Sequence, residues 1–234
     1  ISKSVQKEML PLINRPVIDY IVDDCIKAGI EEIVIVVSPD DTQIQEYYSP
    51  DTKIYKYLER FNKTERYESV KNLHTKAKFT FLTQDTINGD YGTAVPVRLA
   101  EEVMKDEDAF LVFNSDDPMY HADGSSEAAQ MIEYFIAASA QGLATHKVTP
   151  MEIINKYGVA DCYEDNGFKY LNNIVEKPAK GEEPSNLANI GKYVFTPQIF
   201  EEIRRQEADV KLKEYLLTDS LNLLAENHKV VVFP

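Results

Sequence analysis

The 234-residue chain is poor in cysteine and has no long apolar run. Cys25 and Cys162 lie far apart within apolar-patterned segments, so we expect buried free thiols in a reducing compartment rather than a disulfide or a metal site. No apolar run approaches the roughly 20 residues of a membrane span, and no signal-peptide pattern opens the chain. These shortages predict a cytoplasmic protein with no membrane partner.

Positive charge is also scarce. Lys and Arg number 25 against 39 Asp and Glu, for a formal net charge of −14. A protein that grips a nucleic-acid backbone needs a basic surface, so this balance argues against a nucleic-acid partner. It does not exclude an anionic small substrate, because a few focused lysines and a metal ion can bind phosphate within an acidic protein.

Helix and strand patterns alternate along the chain, without an internal repeat. The predicted helices cover 16–29, 42–48, 95–105, 125–140, 197–205 and 218–226. The predicted strands cover 32–37, 78–82, 109–113, 142–148, 158–163, 169–175, 189–195 and 229–233. A charged, tyrosine-rich excursion, predicted to be helical and mobile, fills 53–76. The alternation predicts an α/β fold with a doubly wound, largely parallel sheet and a smaller β-rich part in the second half.

The strand over 109–113 ends abruptly in Asn114–Ser115–Asp116–Asp117. Carboxylates at the carboxyl end of a buried strand open into the crevice where open α/β sheets bind ligands. Hard oxygen ligands on a rigid strand suit Mg²⁺, which takes one or two carboxylates together with substrate phosphates. The alternative is a turn or a helix N-cap, since Ser and Asp favour both.

Lysines and a glycine-containing loop precede this strand. Lys7 and Lys3 lie just before the first helix, where they could meet a triphosphate as point charges or simply be solvated. The loop 84–94 holds two glycines, which let a flat ligand approach the backbone, and Gln84, whose amide matches the edge of a pyrimidine base. An ordinary turn explains the same loop equally well.

The second half carries a Glu–Lys pair and a further carboxylate. Glu176 can accept hydrogen bonds from two sugar hydroxyls, and Lys177 can pair with a phosphate. A solvated ion pair at a turn is the plain alternative for this dipeptide. Asp219 is a possible second metal ligand, although capping of its helix is the simpler account of Thr218–Asp219.

Five segments in order give the chain its resemblance to a known family. They are KEMLPL (7–12), KYGVAD (156–161), VEKP (175–178), PSNLA (184–188) and LLTD (216–219). Together they resemble the sugar-1-phosphate nucleotidyltransferases, and most closely their uridylyl branch, over nearly the whole chain. The resemblance implies a single domain over 1–234, with a nucleotide-binding part to about 140 and a sugar-binding part from about 141. It also implies a homo-oligomer, either a dimer or a tetramer.

The resemblance further implies transfer of a uridylyl group from UTP to glucose 1-phosphate, with Mg²⁺ as cofactor. The positions that match the family's nucleotide contacts are Lys3, Lys7, Gln84 and Gly92. Those that match its sugar contacts are Gly158, Glu176, Lys177 and Asn189, with Lys177 on the sugar phosphate. Those that match its metal ligands are Asp116 and Asp219. Catalytic roles therefore fall to Lys7, Asp116 and Lys177.

Some features depart from the family pattern. The opening strand and its Gly-x-Gly-Thr-Arg loop are not in this sequence, so the catalytic Arg has no counterpart here. Because the chain begins with Ile1 and stops at the end of a strand, we expect both termini to be truncated. The loop 84–94 is longer than usual, which leaves Gly89 as a rival to Gly92. A dTTP-dependent enzyme and a binding homologue without catalysis are the alternative functions.

Overall fold

The structure, a computed structural model, describes residues 4–50, 53–68, 70–87, 89–118, 120–206 and 213–234. The chain forms two compact units: unit 1 contains Ile1–Asp85 and Ser115–Ser126, and unit 2 contains Thr86–Asn114 and Glu127–Pro234. A short segment that includes Asp116 therefore belongs with the N-terminal residues. The functional division predicted near residue 140 is a different boundary and stays a prediction.

Unit 1 is built around a two-stranded parallel sheet. Its elements in chain order are a 3₁₀ turn (Lys7–Met9), β1 (Pro11–Leu12), β2 (Arg15–Pro16), α1 (Val17–Lys27), β3 (Glu32–Val37), α2 (Gln43–Tyr47), α3 (Lys53–Arg60), 3₁₀ turns at Thr64–Tyr67 and Leu73–Thr75, and β4 (Lys78–Thr83). Strands β3 and β4 pair in parallel along their whole length. Apolar side chains of α1, β3 and α2 form the core of this unit, among them Ile18, Val22, Ile35, Val37 and Ile44.

A charged network lies on α1 beside that core. Asp19 is only 3% exposed, and it accepts hydrogen bonds from the hydroxyl of Tyr48 at 3.2 Å and from Arg15 at 3.2 Å. Lys76 Nζ lies 2.7 Å from Asp23 Oδ1, and Arg15 also pairs with Asp23. Burial alone would raise the pKa of Asp23, but hydrogen bonds from Lys76 and Arg15 hold it below its usual value. Buried charges need partners, so this network has a structural explanation.

Unit 2 contains a larger sheet with helices on both faces. Its elements are α4 (Ala94–Leu99), α5 (Glu101–Met104), β5 (Phe110–Phe113), α6 (Glu127–Ala137), β6 (Gly142–Val148), a 3₁₀ turn (Ile154–Lys156), β7 (Gly158–Asp165), β8 (Phe168–Glu176), β9 (Leu187–Phe195), α7 (Gln198–Arg205), α8 (Leu217–Asn227) and β10 (Val230–Phe233). The predicted α/β class is confirmed. Most predicted elements are present, although the helix expected over 95–105 is divided at Ala100 into α4 and α5.

The sheet of unit 2 is mixed rather than largely parallel. In the described residues its strand order is β5-β9-β6-β10-β8-β7, and only the β6–β10 neighbours pair in parallel. Strands β5, β6, β7 and β10 share one direction, while β8 and β9 run the opposite way. The expectation failed because β9 inserts between β5 and β6, and an apolar run does not reveal the direction of a strand.

Apolar side chains cover both faces of this sheet. Helix α6 packs on one face through Met131 and Phe135, which are buried as predicted. Helices α7 and α8 cover the other face, where Ile199 and Leu221 are fully buried. This packing fixes α8 firmly against the strands that carry the predicted sugar contacts.

The cysteines are unpaired, as predicted. Cys25 is buried and Cys162 is partly exposed. Burial raises the pKa of the Cys25 thiol to about 12 and that of Cys162 to about 11, so both stay protonated at neutral pH. Among the described residues, no helix has the length and apolar character needed to cross a membrane.

Candidate active site

Two of the predicted site residues in unit 1 are in direct contact. Lys7 Nζ lies 2.7 Å from Asp116 Oδ2, although the residues are 109 positions apart in sequence. The side chains are 61% and 41% exposed, so solvent and ligands can reach the pair. Beside them the hydroxyl of Ser115 donates to Glu8 Oε1 at 3.1 Å, which holds the segment 115–116 against the 3₁₀ turn. The structure thus joins a predicted phosphate contact to a predicted metal ligand.

Of the other predicted nucleotide contacts, Gln84 and Gly92 are positioned by hydrogen bonds of the backbone. The amide of Gln84 donates to the carbonyl of Val37 at 2.9 Å, which extends the β3–β4 ladder by one residue and fixes where its side chain starts. Lys3 lies outside the described residues, and its role stays a prediction. Asn88 within the loop 84–94 also lies outside them, so the choice between Gly89 and Gly92 stays open.

The backbone at position 92 requires glycine. Its φ is +128°, and a Cβ at this position would collide with the backbone of Tyr215. The amide of Tyr215 donates to the carbonyl of Tyr91 at 2.8 Å, and the amide of Ala94 donates to the carbonyl of Tyr215 at 2.9 Å. The end of the loop 84–94 is therefore bonded along the segment that leads into α8. Sequence reasoning did not identify Tyr215.

Asp219 lies in the first turn of α8, but the helix is not capped in the way the sequence suggests. Leu216, rather than Thr218 or Asp219, occupies the N-cap position and has no side-chain group to offer. The amide of Leu217 instead donates to Thr93 Oγ1 at 2.9 Å, across 124 residues of sequence. No local signal indicates this contact, because the partner belongs to a different element.

In unit 2 the structure brings together Gly158 and Glu176. They are directly opposite each other in the β7–β8 pairing. A Cβ at position 158 would lie only 2.8 Å from Glu176 Oε2, so the glycine makes room for this carboxylate. The amide of Lys177 donates to the carbonyl of Tyr157 at 3.1 Å, and Lys177 has a φ of +44°. A non-glycine residue in this conformation stores strain, and such strain clusters at functional sites.

Asn189 lies in a polar group that the sequence did not reveal. Its Nδ2 donates to the hydroxyl of Tyr193 at 2.7 Å, and His146 is opposite Asn189 in the β6–β9 pairing. Burial raises the pKa of Tyr193 to about 12; the Asn189 hydrogen bond opposes this shift, and the charge of Glu176 adds to it. Burial lowers the pKa of His146 to about 4, although its hydrogen bond with Ala144 acts in the opposite direction. Both side chains are therefore neutral at physiological pH.

The surroundings of Asp116 suit a metal ligand in a site that its substrate would complete. Among the described residues, no three His, Cys, Asp or Glu side chains are grouped to hold a metal ion by themselves. Mg²⁺ does not require such a group, because it commonly takes one or two carboxylates and completes its shell with water and phosphates. Asp116 is accessible and already bonds a cationic ammonium group, so its surroundings fit that role.

Lysines and carboxylates on the loops of an α/β fold, with a glycine that makes room for Glu176, are compatible with phosphorylated substrates. The profile of the Nucleotidyl transferase family matches residues 1–233, and the chain belongs to this family. The resemblance drawn from the five sequence segments is thereby confirmed.

Individual members of the family show which enzymes this chain is similar to. The UTP–glucose-1-phosphate uridylyltransferase of Bacillus subtilis is 34% identical over 233 residues, which cover 99% of this chain and 77% of that protein. The enzyme of the same name from Mycoplasma genitalium is 32% identical over 229 residues, covering 97% and 76%. A crystal structure of UDP-glucose pyrophosphorylase complexed with UDP-glucose superposes with a TM-score of 0.83 at 27% identity, covering 99% of this chain and 83% of the other.

Proposed function

We propose that this protein transfers a uridylyl group from UTP to glucose 1-phosphate, giving UDP-glucose and pyrophosphate, in a reaction that depends on Mg²⁺. The observation that carries the proposal is the site around Glu176. A carboxylate given space by Gly158 is followed directly by a lysine held at a fixed backbone angle. A carboxylate for hydroxyl groups beside a cation for phosphate matches the chemistry of a sugar phosphate. Relatives named for this activity support the choice of substrates.

The proposed chemistry needs no covalent intermediate on the protein. A phosphate oxygen of glucose 1-phosphate attacks the α-phosphorus of UTP in line. The bond from the α-phosphorus to the bridging oxygen breaks, and pyrophosphate leaves with that electron pair. Lys177 orients the attacking phosphate, while Lys7 and Lys3 neutralise the nucleotide phosphates. Positioning and charge neutralisation account for most of the rate enhancement in reactions of this type.

Asp116 and Asp219 are the residues that would hold Mg²⁺. When bound, the ion would supply positive charge to the phosphates as charge shifts toward the leaving pyrophosphate. The contact between Lys7 and Asp116 suggests an order of events for the protein groups: as nucleotide enters, Lys7 exchanges its carboxylate partner for a phosphate, and the carboxylate becomes available as a ligand.

Base choice in the proposal rests on Gln84 and Gly92. An amide side chain and a backbone group together can pair with the carbonyl and N–H edge that uracil and thymine share. Cytosine and purines would leave buried donors or acceptors unpaired, which costs about 1–3 kcal/mol for each group.

The proposal also includes a homo-oligomeric, cytoplasmic enzyme. The free thiols of Cys25 and Cys162 are consistent with a reducing compartment.

The deciding experiment measures pyrophosphate release by the full-length protein over a matrix of UTP, dTTP, ATP, GTP and CTP against several sugar 1-phosphates. We expect the highest kcat/KM for UTP with glucose 1-phosphate. A preference for dTTP above about tenfold would move the protein to thymidylyl transfer. A preference for ATP or GTP would reject the assignment of Gln84 and Gly92, and nucleotide binding without turnover would favour a binding homologue.

A further inference from the structure

Thr93, at the start of α4, bonds the backbone of a different helix. Thr93 occupies the N-cap position of α4, where a threonine hydroxyl normally accepts an N–H of its own helix. It makes no such bond, and its Oγ1 accepts the amide of Leu217 at the start of α8 instead. Because Leu216 cannot cap α8, Thr93 supplies the cap that this helix lacks. The end of the loop 84–94 is thereby attached to the helix that carries Asp219.

A second polar contact attaches α8 to the strand that carries the sugar contacts. The amide of Ile174 donates to Asn222 Oδ1 at 2.7 Å, and Asn222 Nδ2 donates to the carbonyl of Ile174 at 2.9 Å. Strand β10 pairs with β8 only at Val231 and Tyr170, four residues before this point. The side-chain amide of Asn222 thus bonds both backbone groups of Ile174 where β10 provides no partner. Glu176 and Lys177 lie two and three residues further along the chain.

The helix that makes both contacts is itself secured by its apolar face. Leu217, Leu221 and Leu224 are all buried in the core of unit 2. Its position therefore does not depend on Thr93 or Asn222. The two polar contacts instead attach a loop end and a strand end to a rigid support.

We propose that α8 is a common support for the two substrate subsites, with Thr93 and Asn222 as positioning residues: Thr93 bonds the first residue of the helix, and Asn222 lies in its middle. Thr93 sets the nucleotide loop relative to Asp219, and Asn222 sets Glu176 and Lys177. The assignment of each subsite to its substrate rests on the proposed function. This arrangement predicts that the two contacts can be tested separately. Loss of either contact should weaken the binding of one substrate only, because the helix itself stays in place.

Matched substitutions test the two contacts. Thr93→Val keeps the shape and removes the acceptor, whereas Thr93→Ser keeps the hydroxyl. We expect Thr93→Val to weaken UTP binding at least about fivefold by calorimetry without sugar phosphate, and Thr93→Ser to restore it to within about twofold. We expect Asn222→Ala to raise the KM for glucose 1-phosphate at least about fivefold and leave the KM for UTP within about twofold. Asn172→Ala, an exposed amide on the same strand, is the control.

Amide hydrogen exchange supplies a measurement that is independent of turnover. Asn222→Ala should speed exchange at Ile174, because that amide loses its acceptor, while exchange within α8 stays unchanged. Equal changes in both KM values, unchanged KM values, or loss of protection throughout α8 would overturn the inference. Glu176→Gln, measured in parallel, separates it from the proposed function. If Glu176→Gln raises the KM for the sugar phosphate and Asn222→Ala does not, only the positioning role is wrong.

Discussion

Gly158→Ala adds a single methyl group at the start of β7, directly against the proposed sugar-binding carboxylate. An ideal Cβ at this position would lie 2.8 Å from Glu176 Oε2 and 2.9 Å from Ile174 Cγ2. Nonbonded carbon contacts are normally about 3.5 Å or longer, so the carboxylate must move by roughly 0.7 Å. Gly158 lies in a regular strand, where alanine is compatible with the backbone. The added methyl group therefore presses on two side chains, the Glu176 carboxylate and the buried Ile174, while the backbone of β7 can keep its conformation.

The size of the effect follows from what Glu176 does. A hydrogen bond to a charged group contributes about 1.5–3 kcal/mol, and a displacement of this size breaks or badly misaligns one such bond. We therefore expect kcat/KM for glucose 1-phosphate to fall by about 10- to 150-fold, since each 1.4 kcal/mol is a factor of ten. The KM for UTP should stay within about twofold, because the methyl group meets Glu176 and Ile174 and none of the proposed nucleotide contacts.

The assay is the initial rate of pyrophosphate release with glucose 1-phosphate varied at saturating UTP, together with a thermal melt. Gly142→Ala is the matched control, because its Cβ would meet the apolar side chains of Leu224 at 3.0 Å and Val230 at 3.2 Å. This control should lower the melting temperature without changing either KM. A folded Gly158→Ala protein with a wild-type KM for glucose 1-phosphate would refute the role given to Glu176.

Two further predictions concern charge. Asp116→Asn keeps the side-chain shape but makes a poor Mg²⁺ ligand, so turnover should fall at least about 100-fold with the melting temperature unchanged. Near-normal turnover at saturating Mg²⁺ would reject the role, and Asp117→Asn is the control. His146 stays neutral in the fold with a pKa of about 4, whereas the unfolded chain takes up a proton near pH 6.5, so stability is lost as the pH falls from 6.5 toward 4. Between pH 7.5 and 5 the free energy of unfolding should fall by about 2 kcal/mol because of His146. Urea unfolding at the two pH values should therefore show a loss that is smaller by this amount in His146→Asn than in the wild type. An equal loss in the two proteins would contradict the assignment.

Local pattern predicted the elements of this fold well. The strand expected over 32–37 is β3 with the same limits, and the strand over 142–148 is β6. An apolar run marks a buried strand whatever its neighbours are, so its position is readable from sequence. The direction of a neighbouring strand is not a local property, and for that reason the insertion of β9 went unseen.

In the candidate site, too, the sequence identifies individual residues but not how they are arranged in space. The sequence named Lys7 and Asp116, but nothing in it indicates that the two side chains are in contact. It offered Thr218 and Asp219 as the cap of their own helix, because capping rules consider neighbours along the chain. The structure uses Thr93, whose position relative to α8 depends on how the whole unit folds. Tyr193 and His146 went unnoticed for a related reason, since buried residues in strands look like core.

Gly92 and Gly158 illustrate why geometry changes the meaning of a motif. Both glycines were assigned to substrate binding on the same ground, their match to family positions. At Gly92 an added methyl group meets the backbone of Tyr215, which cannot move aside without disturbing the approach to α8. At Gly158 it meets only side chains: the end of Glu176, which can move, and Cγ2 of the buried Ile174. A substitution at Gly92 therefore disturbs the backbone framework before it reports on base recognition, whereas a substitution at Gly158 spares the backbone, and the thermal melt measures what the contact with Ile174 adds.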